Sequence, residues 1–164
     1  MDAAIVRFGA LFLNMEAVLV KIANLVGAIT ANVYMLLIVG MFTARILGWL
    51  DTAHWIGIAS SLVLIPLSYL FIVGLKTDRR MIYFVWLALM ALFALFELVV
   101  DQILAIDLRS TQWTVVPYVM FFFAATGGMI GIASQACKAW SITTTIVFLI
   151  MAVLAFVQRG ITGL

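Results

Sequence analysis

Ionisable side chains are scarce in this sequence, and the few that interrupt its apolar runs are where chemistry could reside. Glu97 lies inside the otherwise uncharged stretch from Met81 to Val100, and Asp101 follows four residues later. A spacing of four places both carboxylates on one face of a helix. A carboxylate at bilayer depth is costly unless it has a partner or a wet cavity. Arg45, near the end of an earlier apolar run, matches them in depth. The economical expectation is an intramembrane ion pair between Arg45 and Glu97 or Asp101. The sharper one is that Glu97 handles a proton or a cation.

A second group sits in the short connections. Asp51, His54 and Asp107, together with the Glu97 and Asp101 carboxylates, offer nitrogen and oxygen donors to a divalent metal. The Asp51-x-x-His54 spacing matches no established metal motif, so the metal signal is weak and a solvated acidic loop is the favoured account. No cofactor is implied elsewhere. A single histidine cannot supply bis-histidine haem ligation, and the lone Cys137 excludes a cysteine-based metal cluster and an internal disulfide. No lysine lies mid-span to form a Schiff base, and no P-loop, Gly-x-Ser-x-Gly or His-Glu-x-x-His run occurs.

What must position these residues follows from composition. Apolar residues make up 67% of the 164 and charged residues 10%, where a soluble domain carries roughly a quarter charged. That excludes an ordinary soluble domain, a disordered chain and a disulfide scaffold. A formal charge of +2, scattered along the chain, gives no footprint for nucleic acid. The lipid bilayer is the first partner.

Apolar runs long enough to cross ~30 Å of hydrocarbon predict helices near 25–49, 55–75, 81–105, 115–136 and 140–158. The fold class is therefore all-α, a polytopic transmembrane helix bundle of about five spans. Barrel strands would be about 10 residues long and alternate polar with apolar, and these runs do not. Residues 22–164 form the bundle, and residues 1–21 form an amphipathic N-terminal helix. That segment has no basic n-region or cleavage site of a signal peptide, and neither chain end carries a lipidation motif.

A stripe of polar or small residues, Arg7, Ala10, Asn14, Ala17, Lys21, Asn24, Ala28 and Ala31, runs along one helical face. An unbroken helix from Ala3 to Trp49 would be about 70 Å long, more than twice the hydrocarbon thickness. The segment must lie on the leaflet after a bend, form a sixth span, or continue out towards a partner. The first is the leading expectation, with its break near Asn24 to Gly27.

Lys21, the cluster Lys76-Thr77-Asp78-Arg79-Arg80, and Lys138 fall on one side of the spans. The positive-inside rule then places the N-terminus in the cytoplasm, here of a prokaryotic plasma membrane, and the Asp51 and Asp107 connections outside. Trp49, Trp55 and Trp113 fall at the outer interface, and Trp86 and Trp140 at the inner one.

Pro66, mid-span, predicts a kink, whereas Pro117 lies in the first turns of its helix, where its missing donor costs little. Ala124-x-x-x-Gly128 and Gly127-x-x-x-Gly131 are small-xxx-small pairs that allow close helix approach, within the chain or between chains. The Thr143-Thr144-Thr145 hydroxyls can bond to their own helix carbonyls.

Three function classes remain. The favoured one is a non-catalytic membrane protein, a subunit or self-associating scaffold with a protein partner or in a homo-oligomer. The alternatives are a small oligomeric transporter or channel using Glu97 and Asp101, and a membrane-embedded metal-dependent enzyme with an outer acidic site.

Overall fold

The computed structural model describes the backbone of residues 2–104 and 112–162. Side chains are described at residues 15–101, 103–104 and 113–161. The protein is an all-α helix bundle, and no strand occurs among the described residues. Six α-helices follow one another: α1 (Asp2–Ile46), α2 (Leu50–Ser60), α3 (Leu64–Lys76), α4 (Met81–Glu97), α5 (Gln112–Ser134) and α6 (Lys138–Thr162). A 3-10 turn at Ser61–Val63 joins α2 to α3, and a π-helical segment at Leu98–Ile103 prolongs α4. Among the described residues, five stretches are long and apolar enough to cross a membrane: Met15–Ile46, Leu50–Lys76, Met81–Asp101, Trp113–Ser134 and Lys138–Ile161.

The helix α1 is the centre of the molecule. It packs against α2, α3, α5 and α6, while α4 packs on α3 and α5. Its buried side is lined by small and apolar residues, with Ala28, Ala31, Tyr34 and Met35 fully enclosed. The opposite side exposes Leu25, Ile29, Val33 and Leu36, as a helix face turned to lipid does. Exposed Ile142, Ile146, Leu149, Val153 and Phe156 give α6 a similar face.

Several boundaries depart from the sequence expectation for identifiable reasons. The first span ends at Ile46 rather than 49, because Gly48 takes φ +76° and closes a Schellman motif. In that motif the Trp49 N–H donates to Ala44 O and the Gly48 N–H to Arg45 O. The second helix accordingly begins at Leu50, earlier than 55. The third ends its π-helical segment at Ile103, short of 105.

No break occurs near Asn24 to Gly27, and α1 crosses the expected boundary between residues 21 and 22 without interruption. Nothing between Asp2 and Ile46 is a proline, and the one glycine of the expected hinge packs tightly. A Cβ on Gly27 would lie 2.8 Å from Ile132 Cγ2, so the residue serves close approach of α1 to α5 rather than a bend.

Pro66 acts one turn upstream of itself. Its ring displaces the carbonyl of Leu62 and its nitrogen cannot donate to it. The chain responds by tightening into the 3-10 turn at Ser61–Val63. Hydroxyls of Ser60 and Ser61 donate to Gly57 O and Ile58 O there, each at 2.7 Å, which keeps these polar groups satisfied in an apolar span.

Candidate functional site

The cluster around Glu97 is built by three elements that the sequence places far apart. Glu97 closes α4 and is buried, with 6% of its surface exposed. Tyr118 stands in the second turn of α5, and its hydroxyl donates to Glu97 Oε1 at 3.1 Å. Tyr34 of α1, fully buried, approaches Oε2 with its hydroxyl at 3.4 Å. The Tyr118 ring in turn packs against Phe93 and Phe96, and Phe121 and Phe122 extend the aromatic wall. Rings exclude water around the carboxylate, so each hydroxyl bond there counts for more than it would in solvent.

Just above, the π-helical segment carries Asp101, and Arg45 Nη2 donates to its Oδ2 at 3.0 Å. The two side chains keep 17% and 18% of their surface exposed. Arg45 Nη1 is buried and makes no hydrogen bond among the described residues. The structure thus brings Arg45 to Asp101 and assigns Glu97 to two tyrosines. Both carboxylates look towards α1, as the spacing of four implied, and π-helical turns recur at functional positions.

Chemically, the Glu97 site can hold a carboxyl group in either charge state. Both tyrosine hydroxyls can donate to an ionised carboxylate, and one can instead accept from a protonated acid. Sequence reasoning missed both tyrosines. Neither was legible in residue order: the depth of about 9 Å that Tyr118 shares with Glu97 follows from the observed start of α5 and end of the π-helical segment, and the face of Tyr34 is set by how α1 packs.

Two of the three metal candidates fall within the described residues. Asp51 and His54 lie exposed on α2, and Asp107 falls outside the described residues. Asp51 borders an open depression of ≈ 450 Å³ that also touches Gly48, Trp49, Leu50 and Thr52. Among the described residues no group of three or more histidine, cysteine or carboxylate side chains could hold a metal ion.

The small-residue pairs are each split between two surroundings. Gly128 and Gly131 face Trp86 of α4, and a Cβ on Gly131 would fall 2.7 Å from the indole. Their i−4 partners look outward: Ala124 is exposed, and a Cβ on Gly127 would meet open space. Trp86 and Trp140 are correspondingly part-buried against the core rather than simply laid on an interface.

Two further polar links were not foreseen. Asn32, buried in α1, donates from Nδ2 to Ala28 O and to Thr144 Oγ1 of α6, and its Oδ1 makes no hydrogen bond among the described residues. As the sequence led one to expect, Thr143, Thr144 and Thr145 each donate to the carbonyl four residues back. At the end of the bundle away from Glu97, Arg79 Nη2 donates to Asn24 Oδ1 at 2.6 Å, and Asn24 Nδ2 donates to Gln135 O at 2.8 Å. Asp78 at φ 46° and the bond from the Arg79 N–H to Gly74 O turn the chain so that Arg79 meets α1.

Comparison with protein-family models, with curated proteins and with solved structures finds no match to this chain.

Proposed function

We propose that this chain is a non-catalytic integral membrane protein that works inside a larger membrane assembly, as a subunit or as a self-associating scaffold. One observation carries the reading: α1 continues well past the bundle that surrounds it. From Asn24, held by Arg79, to Arg45, held by Asp101, α1 rises about 32 Å, which already matches the hydrocarbon thickness. Below that level Met15, Glu16, Ala17 and Val18 are all exposed, so the bundle covers no side of the helix there. Yet the helix runs on to Asp2 through a sequence containing Ile5, Val6, Phe8, Leu11, Phe12 and Leu13. Carried straight out of the bundle, such an amphipathic helix offers its apolar face to a partner or to a second copy. The basic end from which it emerges belongs in the cytoplasm by the positive-inside rule.

Particle mass in lipid nanodiscs tests this. The full chain should run as an oligomer or with a stoichiometric partner, and a variant lacking residues 2–18 should be monomeric and still folded. A full chain that stays monomeric both in nanodiscs and in extracts of its own membrane would refute the reading.

The Glu97 geometry favours a second reading, a small transporter or channel in which Glu97 binds a proton or cation. Ion flux in liposomes decides between them: under this reading Glu97→Gln abolishes a flux that the unaltered chain supports.

A further inference from the structure

The geometry points to a binding face for anionic phospholipid headgroups at the end of the bundle where Arg79 meets α1. Five cationic side chains gather there, Lys21, Lys76, Arg79, Arg80 and Lys138, against two acidic ones, Glu16 and Asp78. Hydrogen bonds show that they belong to one collar although they come from three parts of the chain. Arg79 bonds to Asn24 and reaches Val20 O at 3.5 Å, which fixes the α3–α4 connection beside Lys21. Asn24 bonds to Gln135 O, which brings in the α5–α6 connection and Lys138.

Arg79 is spent inward on these bonds and on the Tyr83 ring, 5.2 Å from its guanidinium. The other four cations are exposed. None of the four forms a salt bridge among the described residues, where Arg45 and Asp101 make the one such pair. The helix α4 opens in the same collar without a side-chain cap, its N-cap residue being Arg80. The opposite end differs: its described charged residues are Arg45 and Arg159 against Asp51, Glu97 and Asp101, with no basic excess.

Four exposed cations at the level where the hydrocarbon ends meet the phosphate layer of a bilayer. Each basic residue at an anionic surface strengthens attachment about fivefold. The collar differs from a plain excess of basic residues in that the part-buried Arg79–Asn24 clip fixes its spacing, so several headgroups can be held at once. This inference does not depend on which assembly the chain joins.

Native mass spectrometry of the purified full chain in neutral detergent tests it, with phosphatidylglycerol or phosphatidylcholine of identical acyl chains added. Phosphatidylglycerol should be retained about tenfold or more over phosphatidylcholine at low salt, with the preference falling as salt rises. The combined variant Lys21→Gln, Lys76→Gln, Arg80→Gln, Lys138→Gln should bring the ratio close to one, and Arg159→Gln at the other end should leave it unchanged. Equal retention of both lipids, or an equal loss from Arg159→Gln, would overturn the proposal. Inorganic phosphate that displaces phosphatidylglycerol at matched concentration would make this a site for a free anion and would also overturn it. Should the combined variant fail to fold, the four single variants carry the test. Each should lower the preference about twofold, and no change in any of them would overturn it.

Discussion

The indole of Trp86 occupies the space in which Gly131 would carry a side chain: a Cβ there would lie 2.7 Å from Cδ2 and Cε2 and 2.8 Å from Cε3. This contact sets how closely α4 and α5 approach. Gly131→Ala should therefore destabilise the protein by about 1–3 kcal/mol through overpacking, outweighing the gain of roughly 1 kcal/mol in helix propensity. Gly127→Ala, where the added methyl meets open space, should be neutral or stabilising. Thermal unfolding of the two variants in one detergent gives the comparison, and equal effects would contradict the contact.

Arg45 and Asp101 form a half-buried pair whose members depend on one another. Arg45→Met should cost about 3 kcal/mol, the lower end of the range for breaking a buried pair, because both side chains keep some exposure to solvent. Adding Asp101→Asn should recover more than half of that loss. A double variant as unstable as the sum of the two single ones would show that the pair is not coupled.

Asn32 presents the opposite case, a buried amide whose Oδ1 has no hydrogen bond among the described residues while Thr144 already donates to its own helix. Asn32→Leu keeps the volume and removes the unsatisfied acceptor, so stability should change by no more than about 1 kcal/mol in either direction. Chemical denaturation of the reconstituted protein measures it. A loss several times larger would mean that the amide holds α1 to α6 more firmly than its bonds to Ala28 and Thr144 indicate.

Glu97 should discriminate sharply between replacements. Glu97→Gln keeps one acceptor oxygen, and its amide N–H can donate to the hydroxyl facing the other position, so it should cost about 1 kcal/mol or less. Glu97→Leu removes the carboxylate acceptor of the buried Tyr34 hydroxyl and of the part-buried Tyr118 hydroxyl and should cost about 2–3 kcal/mol. Adding Tyr34→Phe and Tyr118→Phe to Glu97→Leu should restore a good part of it, which unfolding midpoints will show.

The sequence by itself determined that the protein is a helical membrane bundle, because uncharged runs long enough to span hydrocarbon have no other stable arrangement for their backbone groups. It also determined which end is basic, since charge in short connections is read directly from residue order. Pro66 was legible as a distortion, though not as the 3-10 turn upstream. Tertiary structure alone decided the partners. Spacing put Glu97 and Asp101 on one face, but which carboxylate received Arg45 and which received Tyr34 and Tyr118 depends on how α1, α4 and α5 rotate against one another. Likewise Ala124, Gly127, Gly128 and Gly131 are equivalent in sequence, and only the placement of Trp86 separates the two packed glycines from their exposed neighbours. Continuity of α1 through Gly27 has the same origin, since glycine reads as a weak point of a helix until Ile132 is seen to fill the space beside it. Periodicity fixes the face of each helix, and the choice of neighbour for that face is made by long-range packing that no local spacing encodes.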